Sequence, residues 1–244
     1  MSDNLLCEKI DAILDSKKID QDKIMAGLGK YIYLINKFDD GGVDAEFQRV
    51  YNNFFAINAA KGLTEEFKDG YYKYMKKKKA DKELALKKVL LHLKELPPNR
   101  VEASFGSKLL SMINPEDRPP WDRIVRRNLH ELKILEALKV RGIKIPPVAN
   151  ANICDWDVFY VEICKLYKEF VKKRTESREK WMNLFEQIFD QWYSEYFSGN
   201  RGGNGEIWKI CFTWLRNKRF SKEKMRKSIT DVKIIDFILW GRKK

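Results

Sequence analysis

Apolar residues recur at helical spacing along most of this 244-residue chain, and this pattern constrains the fold more than any other feature. A half-buried strand requires apolar and polar residues to alternate at period two. No segment of the chain keeps this alternation for long enough to form a strand. The spacing predicts helices over residues 5–14, 24–38, 44–60, 64–75, 84–96, 122–140, 207–215 and 231–240, with one long helix or a pair over 155–197. The sequence therefore predicts an all-α fold without a substantial β-sheet.

The composition favours a folded protein with a polyanionic partner. Hydrophobic residues make up 44% of the chain, which argues against disorder although 34% of the residues are charged. The formal net charge of +13 indicates either nucleic acid or an anionic membrane surface as the partner. No apolar run approaches the ~20 residues of a spanning helix, so we expect a soluble protein without a membrane partner. Nucleic acid is therefore the expected polyanion.

The cysteines and histidines argue against several kinds of site. Cys7, Cys154, Cys164 and Cys211 are scattered without a CxxC pair, and two histidines are too few for a histidine-based zinc site. The start of the chain carries no recognisable signal peptide, so a reducing cytoplasm is the expected location. The glycine-rich segment 199–205 lacks the GK[ST] ending of a P-loop. We expect neither a metal ion nor another cofactor.

The middle of the chain carries the candidate chemistry. A tight turn is predicted at Ser104, Phe105 and Gly106, because glycine permits a sharp turn whose exposed N–H groups can hold a phosphate. Lys108 follows, just inside the helix that this turn would open. After two proline-marked breaks, Asp122 precedes the next apolar run and is predicted to be its N-cap.

A lysine and an aspartate brought together at two helix ends could act on a sugar. An amine can attack an electrophilic sugar carbon, and burial near a helix N-terminus favours the neutral, nucleophilic form of Lys108. A carboxylate at Asp122 would stabilise the cation that develops on the sugar. The alternatives are a solvated surface lysine and an aspartate that is a helix cap alone.

Short motifs with a common resemblance are spread over most of the chain. They lie at residues 47–55, 63–67, 71–72, 107–110, 114–115, 121–122, 125 and 232–240. Together they resemble a diverged bacterial branch of the helix-hairpin-helix DNA glycosylases of the 8-oxoguanine type. Ser104 stands where the usual hairpin signature has its first glycine, and Gly106 matches the second, so the hairpin is degenerate.

The resemblance implies an architecture and an activity. The architecture is a single helical domain over residues 1–244, with one lobe from about 1–96 and the C-terminal helices and another from 97–197, around a basic DNA-binding groove. The activity is excision of a flipped base from DNA. Lys108 would attack C1′ and form a Schiff base, with or without strand-cleaving lyase activity, and Asp122 would stabilise the sugar cation.

The resemblance also implies a set of DNA contacts. A monomer would touch the backbone through Ser104, Phe105, Gly106, Ser107, Arg123 and Arg126, and Trp121 would stack on the flipped base. Phe105 could instead be a wedge in the duplex. Three functions stay open: repair of an oxidised purine, excision of a hypermodified phage base as antiviral defence, and non-catalytic DNA binding. Attack by water, with Lys108 as an electrostatic group, is the alternative chemistry.

Overall fold

Twelve α-helices form the described part of the chain in a computed structural model, which describes residues 19–59, 62–147, 152–172, 176–198 and 205–242. They are α1 (Gln21–Asp39), α2 (Ala45–Phe54), α3 (Glu65–Lys78), α4 (Leu86–Glu95), α5 (Ala103–Ile113), α6 (Arg123–Glu131), α7 (Ile134–Val140), α8 (Ile153–Lys172), α9 (Glu176–Trp192), α10 (Glu206–Asn217), α11 (Lys222–Lys227) and α12 (Asp231–Gly241). A 3₁₀ turn at Ile57–Ala59 follows α2, and a π-helical turn at Tyr193–Phe197 follows α9. Over the described ranges there is no sheet, only an isolated bridge between Ile19 and Arg242, so the all-α prediction is confirmed.

Side-chain caps fix where several helices begin. Asp20, Asp44, Thr64 and Thr230 each accept a hydrogen bond from the backbone N–H three residues later. Each such cap stabilises a helix start by roughly 1 kcal/mol, because it satisfies an N–H group that has no partner within the helix. This local chemistry explains why the sequence predicts the start of α3 correctly.

Helix α12 lies at the centre of the packing and contacts α1, α6, α8 and α9. Every residue from position 232 to 239 is buried. Helix α1 also packs against α2, α9 and α10, whereas α4 packs against α5 and α8. Because α6 packs directly on α12, the residue that begins α6 is held beside the central helix. None of the described helices is long and apolar enough to cross a membrane.

The turn predicted at Ser104, Phe105 and Gly106 is wrong. Helix α5 already begins at Ala103, and the N–H of Gly106 donates a helical hydrogen bond of 2.9 Å to the carbonyl oxygen of Glu102. The chain turns earlier, between α4 and α5.

Gly106 is required for packing rather than for a turn. A Cβ atom at this position would lie 2.8 Å from Leu86 Cδ1 and 3.0 Å from Leu90 Cδ2. The glycine therefore lets α5 approach α4 closely, a tertiary reason that the local sequence does not reveal.

Other boundaries differ from the sequence prediction. The helix predicted over 122–140 is split into α6 and α7 at Leu132 and Lys133, and Lys133 adopts a left-handed conformation with φ of 57° that a continuous α-helix excludes. The segment 155–197 contains the predicted pair, α8 and α9, and the short polar helix α11 was not predicted. The helix predicted over 5–14 and residues 199–204 of the glycine-rich segment lie outside the described residues.

Candidate active site

Asp122 begins α6 and caps it, as predicted. Its Oδ1 accepts hydrogen bonds of 2.8 Å from the backbone N–H groups of both Ile124 and Val125. Its Oδ2 has no hydrogen-bond partner among the described residues. The half-buried carboxylate therefore has one oxygen committed to the helix and a second oxygen available to a ligand.

Buried hydrogen bonds hold the segment that leads to Asp122. Ser107 on α5 is fully buried, and its Oγ accepts a 2.8 Å hydrogen bond from the N–H of Trp121. Tyr160 on α8 donates its hydroxyl hydrogen to the carbonyl oxygen of Pro119 at 2.8 Å. The start of α6 is thus fixed to α5, the helix that carries the candidate nucleophile.

Lys108 is buried on α5, with 7% of its surface exposed. Its Nζ donates a 3.1 Å hydrogen bond to the carbonyl oxygen of Phe55 and lies 5.3 Å from the ring centroid of Phe105. Burial lowers the pKa of Lys108 because the charged form loses its hydration, and the negative charge of Asp122 opposes this shift. At a given pH, the neutral amine is therefore a larger fraction of Lys108 than of an ordinary exposed lysine.

A pocket of about 230 Å³, called the Asp122 pocket below, lies beside this carboxylate. It is smaller than the roughly 300–1,000 Å³ of most small-molecule sites, and aromatic rings form much of its wall. Its lining residues are Asn53, Phe54, Phe55, Ala56, Pro120, Asp122, Ile124, Lys233, Asp236, Phe237 and Trp240. Lys108 is not itself in the lining, but it is hydrogen bonded to Phe55, which is.

A second pocket, of about 220 Å³, is also bounded by Asp122. It gathers three of the predicted DNA-binding residues, Ser104, Arg123 and Arg126, and the predicted stacking residue Trp121. Trp156 and residues 101–103 complete its lining. Nη1 of Arg126 is buried without a hydrogen-bond partner among the described residues. This pocket therefore combines guanidinium groups with flat indole surfaces.

Several other predicted site residues are placed in the core. Phe105, Gly106 and Ser107 are buried within α5, which leaves them almost no surface for a phosphate contact or a wedge in a duplex. The Phe105 ring packs edge-on against Phe67 at a centroid distance of 5.7 Å. Trp121 is 4% exposed and packs edge-on against Phe159, which leaves little of its indole free for a base. Its role as the stacking residue stays a prediction.

The sequence reasoning missed a buried ion pair in the wall of the Asp122 pocket. Lys233 Nζ donates a 2.5 Å hydrogen bond to Asp236 Oδ2, and the two side chains on α12 are almost fully buried. Burial raises the pKa of Asp236, and the Lys233 charge opposes that shift. Two charged residues within the otherwise apolar segment 232–239 were the available signal, because buried charges are rare unless they are paired.

Trp240 was missed as well, and it is the tryptophan that lines the Asp122 pocket. Lys23 Nζ lies 4.2 Å from its ring centroid and donates a 2.5 Å hydrogen bond to its carbonyl oxygen. Burial lowers the pKa of Lys23, although nearby carboxylates oppose this shift. The lysine thereby fixes the backbone and one face of the indole at the end of α12.

Within the described ranges, no group of three or more histidine, cysteine, aspartate or glutamate residues could hold a metal ion. Comparison of the chain with protein-family models, with curated proteins and with solved structures gives no match.

Proposed function

We propose that the protein is a DNA glycosylase that binds a flipped, damaged or modified base in the Asp122 pocket and cleaves its bond to C1′ of the sugar. The observation that carries this proposal is the free oxygen of Asp122 at an aromatic pocket, next to the buried Lys108 whose pKa is lowered. A nucleophile and a charge-stabilising carboxylate are the two groups that this reaction needs.

Asp122 acts while the glycosidic bond breaks. The base departs with the electron pair of the C1′–N bond, and positive charge develops on the sugar. The Asp122 carboxylate stabilises this positive charge. The electrostatic attraction between the two charges is stronger in a partly buried site than in water. Since Oδ1 is already fixed by two backbone N–H groups, the carboxylate needs little reorganisation as the charge appears.

Lys108 supplies the amine. A neutral amine uses an N–H group to donate to the Phe55 carbonyl, so its lone pair is left for C1′. A new N–C1′ bond forms as the base leaves, the amine loses a proton to the departing base or to water, and the sugar ring opens to a Schiff base. Strand cleavage follows from that intermediate. If water attacks C1′ instead, Lys108 has an electrostatic role and the enzyme is monofunctional.

The basic surface supplies the affinity for DNA. A net charge of +13 favours a polyanion, and Arg123 and Arg126 lie next to Asp122 at the second pocket. Contacts from these arginines to the phosphates on either side of the flipped nucleotide would position C1′ beside the carboxylate. We propose that the enzyme acts as a cytoplasmic monomer.

The excised base defines two versions of this proposal. One is an oxidised purine, which makes the protein a repair enzyme. The other is a hypermodified base of phage DNA, which makes it an antiviral defence enzyme. Single-turnover assays on duplexes that each carry one modified base separate the two.

The same assay separates an enzyme from a DNA-binding module that has no activity. We expect Lys108→Ala to lose excision or strand cleavage on the best substrate while duplex affinity is retained. Lys139→Ala, which removes an exposed lysine on α7, is the control for the loss of one positive charge. If the wild-type protein binds duplex DNA but excises no base of the panel, the module is the correct function.

A further inference from the structure

The start of α1 and the end of α12 meet beside the Asp122 pocket. The N–H of Asp20 donates a 2.8 Å hydrogen bond to the carbonyl oxygen of Gly241. The last carbonyl groups of a helix have no N–H partner within that helix. Lys23 Nζ donates to one of them, the carbonyl oxygen of Trp240. A side chain of α1 therefore closes the end of the helix that carries a pocket-lining indole.

Lys23 occupies an unfavourable place for a positive charge within its own helix. It is the third residue of α1, and the partial positive charge of a helix N-terminus disfavours a cation in the first turn. Burial lowers the pKa of Lys23, because the half-buried ammonium loses part of its hydration, and the charges of Asp20 and Asp122 oppose this shift. The lysine is therefore stabilised by these carboxylates and by Trp240 rather than by α1.

Two residues of α1 hold the Trp240 indole. Lys23 Nζ lies 4.2 Å from the ring centroid, which places the ammonium over one face of the ring. One turn later, a Cβ atom at Gly27 would lie 3.5 Å from Trp240 Cζ3, so the edge of the ring lies against the backbone of α1. Trp240 lines the Asp122 pocket, whereas Lys23 and Gly27 do not. The pocket therefore meets a part of the indole that these two residues leave open.

We propose that Lys23 is a positioning residue of the Asp122 pocket, whose ammonium fixes the Trp240 indole so that the open part of the ring stacks on the base. This inference rests on the proposed function, since it takes the pocket to receive a flipped base. A ring that is already ordered loses little conformational freedom when the base arrives. Affinity for the base is therefore higher than with a mobile ring.

The test compares duplexes with and without a base at one position. Two probes carry 8-oxoguanine or 5-hydroxymethyluracil on a 2′-fluorinated sugar, which destabilises the sugar cation and prevents cleavage. The third carries tetrahydrofuran, a sugar analogue without a base, in the same sequence. Fluorescence anisotropy gives the dissociation constant of the full-length protein for each duplex. The base ratio is the dissociation constant for the tetrahydrofuran duplex divided by that for a base-bearing duplex, so contacts to phosphates cancel.

Lys23→Gln isolates the charge. Its amide N–H can still donate to the Trp240 carbonyl, but no cation lies over the ring. We expect the base ratio to fall about 2- to 10-fold for at least one of the two bases, the factor for ordering one side chain on binding. Lys23→Arg keeps a cation that stacks on aromatic rings and should restore the ratio. Both variants should keep a melting temperature close to that of the wild-type protein.

The matched control is Lys30→Gln on the same helix. Lys30 Nζ also lies over an indole, 6.0 Å from the ring centroid of Trp208, which does not line the Asp122 pocket. Its loss removes the same charge and the same kind of contact, and the base ratio should stay at the wild-type value. A second control is Lys23→Gln in a Trp240→Leu background, where the ratio should not fall further, because the two residues act through one contact.

Each outcome decides the inference. A base ratio that Lys23→Gln leaves unchanged for both bases overturns it, including the case in which all three duplexes bind equally more weakly, since Lys23 then contacts a phosphate. A full further loss in the Trp240→Leu background also overturns it, because Lys23 then acts on something other than the indole. If the ratio depends on Lys23 and Trp240 but no unfluorinated base is excised, the proposed catalysis is refuted and this inference stands. If bases are excised and the ratio ignores Lys23, the proposed function stands alone.

Discussion

The Nζ atom of Lys108 lies 3.1 Å from the carbonyl oxygen of Phe55, and this hydrogen bond joins helix α5 to the wall of the Asp122 pocket. The buried amine is therefore held behind the pocket wall that Phe55 forms. In the proposed reaction, Lys108 would have to release this hydrogen bond before it attacks C1′.

Reduction with borohydride during turnover should trap a covalent adduct between the protein and DNA if Lys108 forms a Schiff base. We expect the adduct in the wild-type protein and its loss in Lys108→Gln, with Lys139→Gln as the control at an exposed position. Electrophoresis of the reduced reaction under denaturing conditions measures it. An adduct that persists in Lys108→Gln assigns the chemistry to another amine, and excision without any adduct supports attack by water.

The rate of adduct formation should rise with pH. Burial lowers the pKa of Lys108 from its ordinary value of 10.5, and the neutral, nucleophilic amine predominates above the lowered pKa. The single-turnover rate at saturating enzyme should therefore increase as the pH rises toward that pKa and become constant above it, at a lower pH than for an exposed lysine. A rate that is constant or falls over the same pH range contradicts Lys108 as the nucleophile.

Local signals in the sequence explain what could be predicted about the fold. Asp122 was recognised as a helix cap, and a helix was predicted to open at Thr64, because helix starts depend on a few neighbouring residues; both side chains make capping hydrogen bonds. The start of α5 was misplaced because Gly106 serves contacts with Leu86 and Leu90, which belong to another helix. A glycine required for close packing and a glycine required for a turn look the same in one sequence.

The candidate site was predictable in part for the same reason. Asp122 stands out as a helix cap, whereas Lys108 was expected near a helix start and is instead the sixth residue of α5. The negative charge of Asp122 nevertheless acts on the pKa of Lys108. The ion pair of Lys233 and Asp236 depends on the burial of α12 among four other helices, which local periodicity does not report. The stacking role of Trp121 stays a prediction, and the sequence did not point to Trp240, whose indole lines the Asp122 pocket from a distant part of the chain.

Gly106→Ala tests the helical packing of α5. The added methyl group would meet Leu86 at 2.8 Å, so we expect a loss of about 1–3 kcal/mol in the free energy of unfolding, measured by denaturant titration. Gly29→Ala is the matched control, because its new contacts begin at 3.4 Å and alanine favours a helix by about 1 kcal/mol. In a Leu86→Ala background, the loss of unfolding free energy caused by Gly106→Ala should be smaller, because the clashing methyl group of Leu86 is gone. If Gly106 instead lay in a left-handed turn, the loss would be the same in both backgrounds.

Binding to duplex DNA should weaken steeply with salt. Each phosphate neutralised by lysine or arginine contributes about −0.9 to the slope of log K against log salt concentration. Fluorescence anisotropy over a salt series gives this slope for the wild-type protein, and Arg126→Gln should reduce its magnitude by about one phosphate. Absence of duplex affinity at low salt removes DNA as the partner.

Single-turnover excision by Asp122→Asn tests the central claim most directly. Asparagine is also a good N-cap, so α6 should lose less than ~1 kcal/mol and the melting temperature should change little. Loss of the carboxylate charge should reduce excision on the order of 10²-fold or more, while duplex affinity stays close to that of the wild-type protein. Excision at the wild-type rate by a folded Asp122→Asn variant would show that Asp122 is a helix cap alone and would contradict the proposed active site.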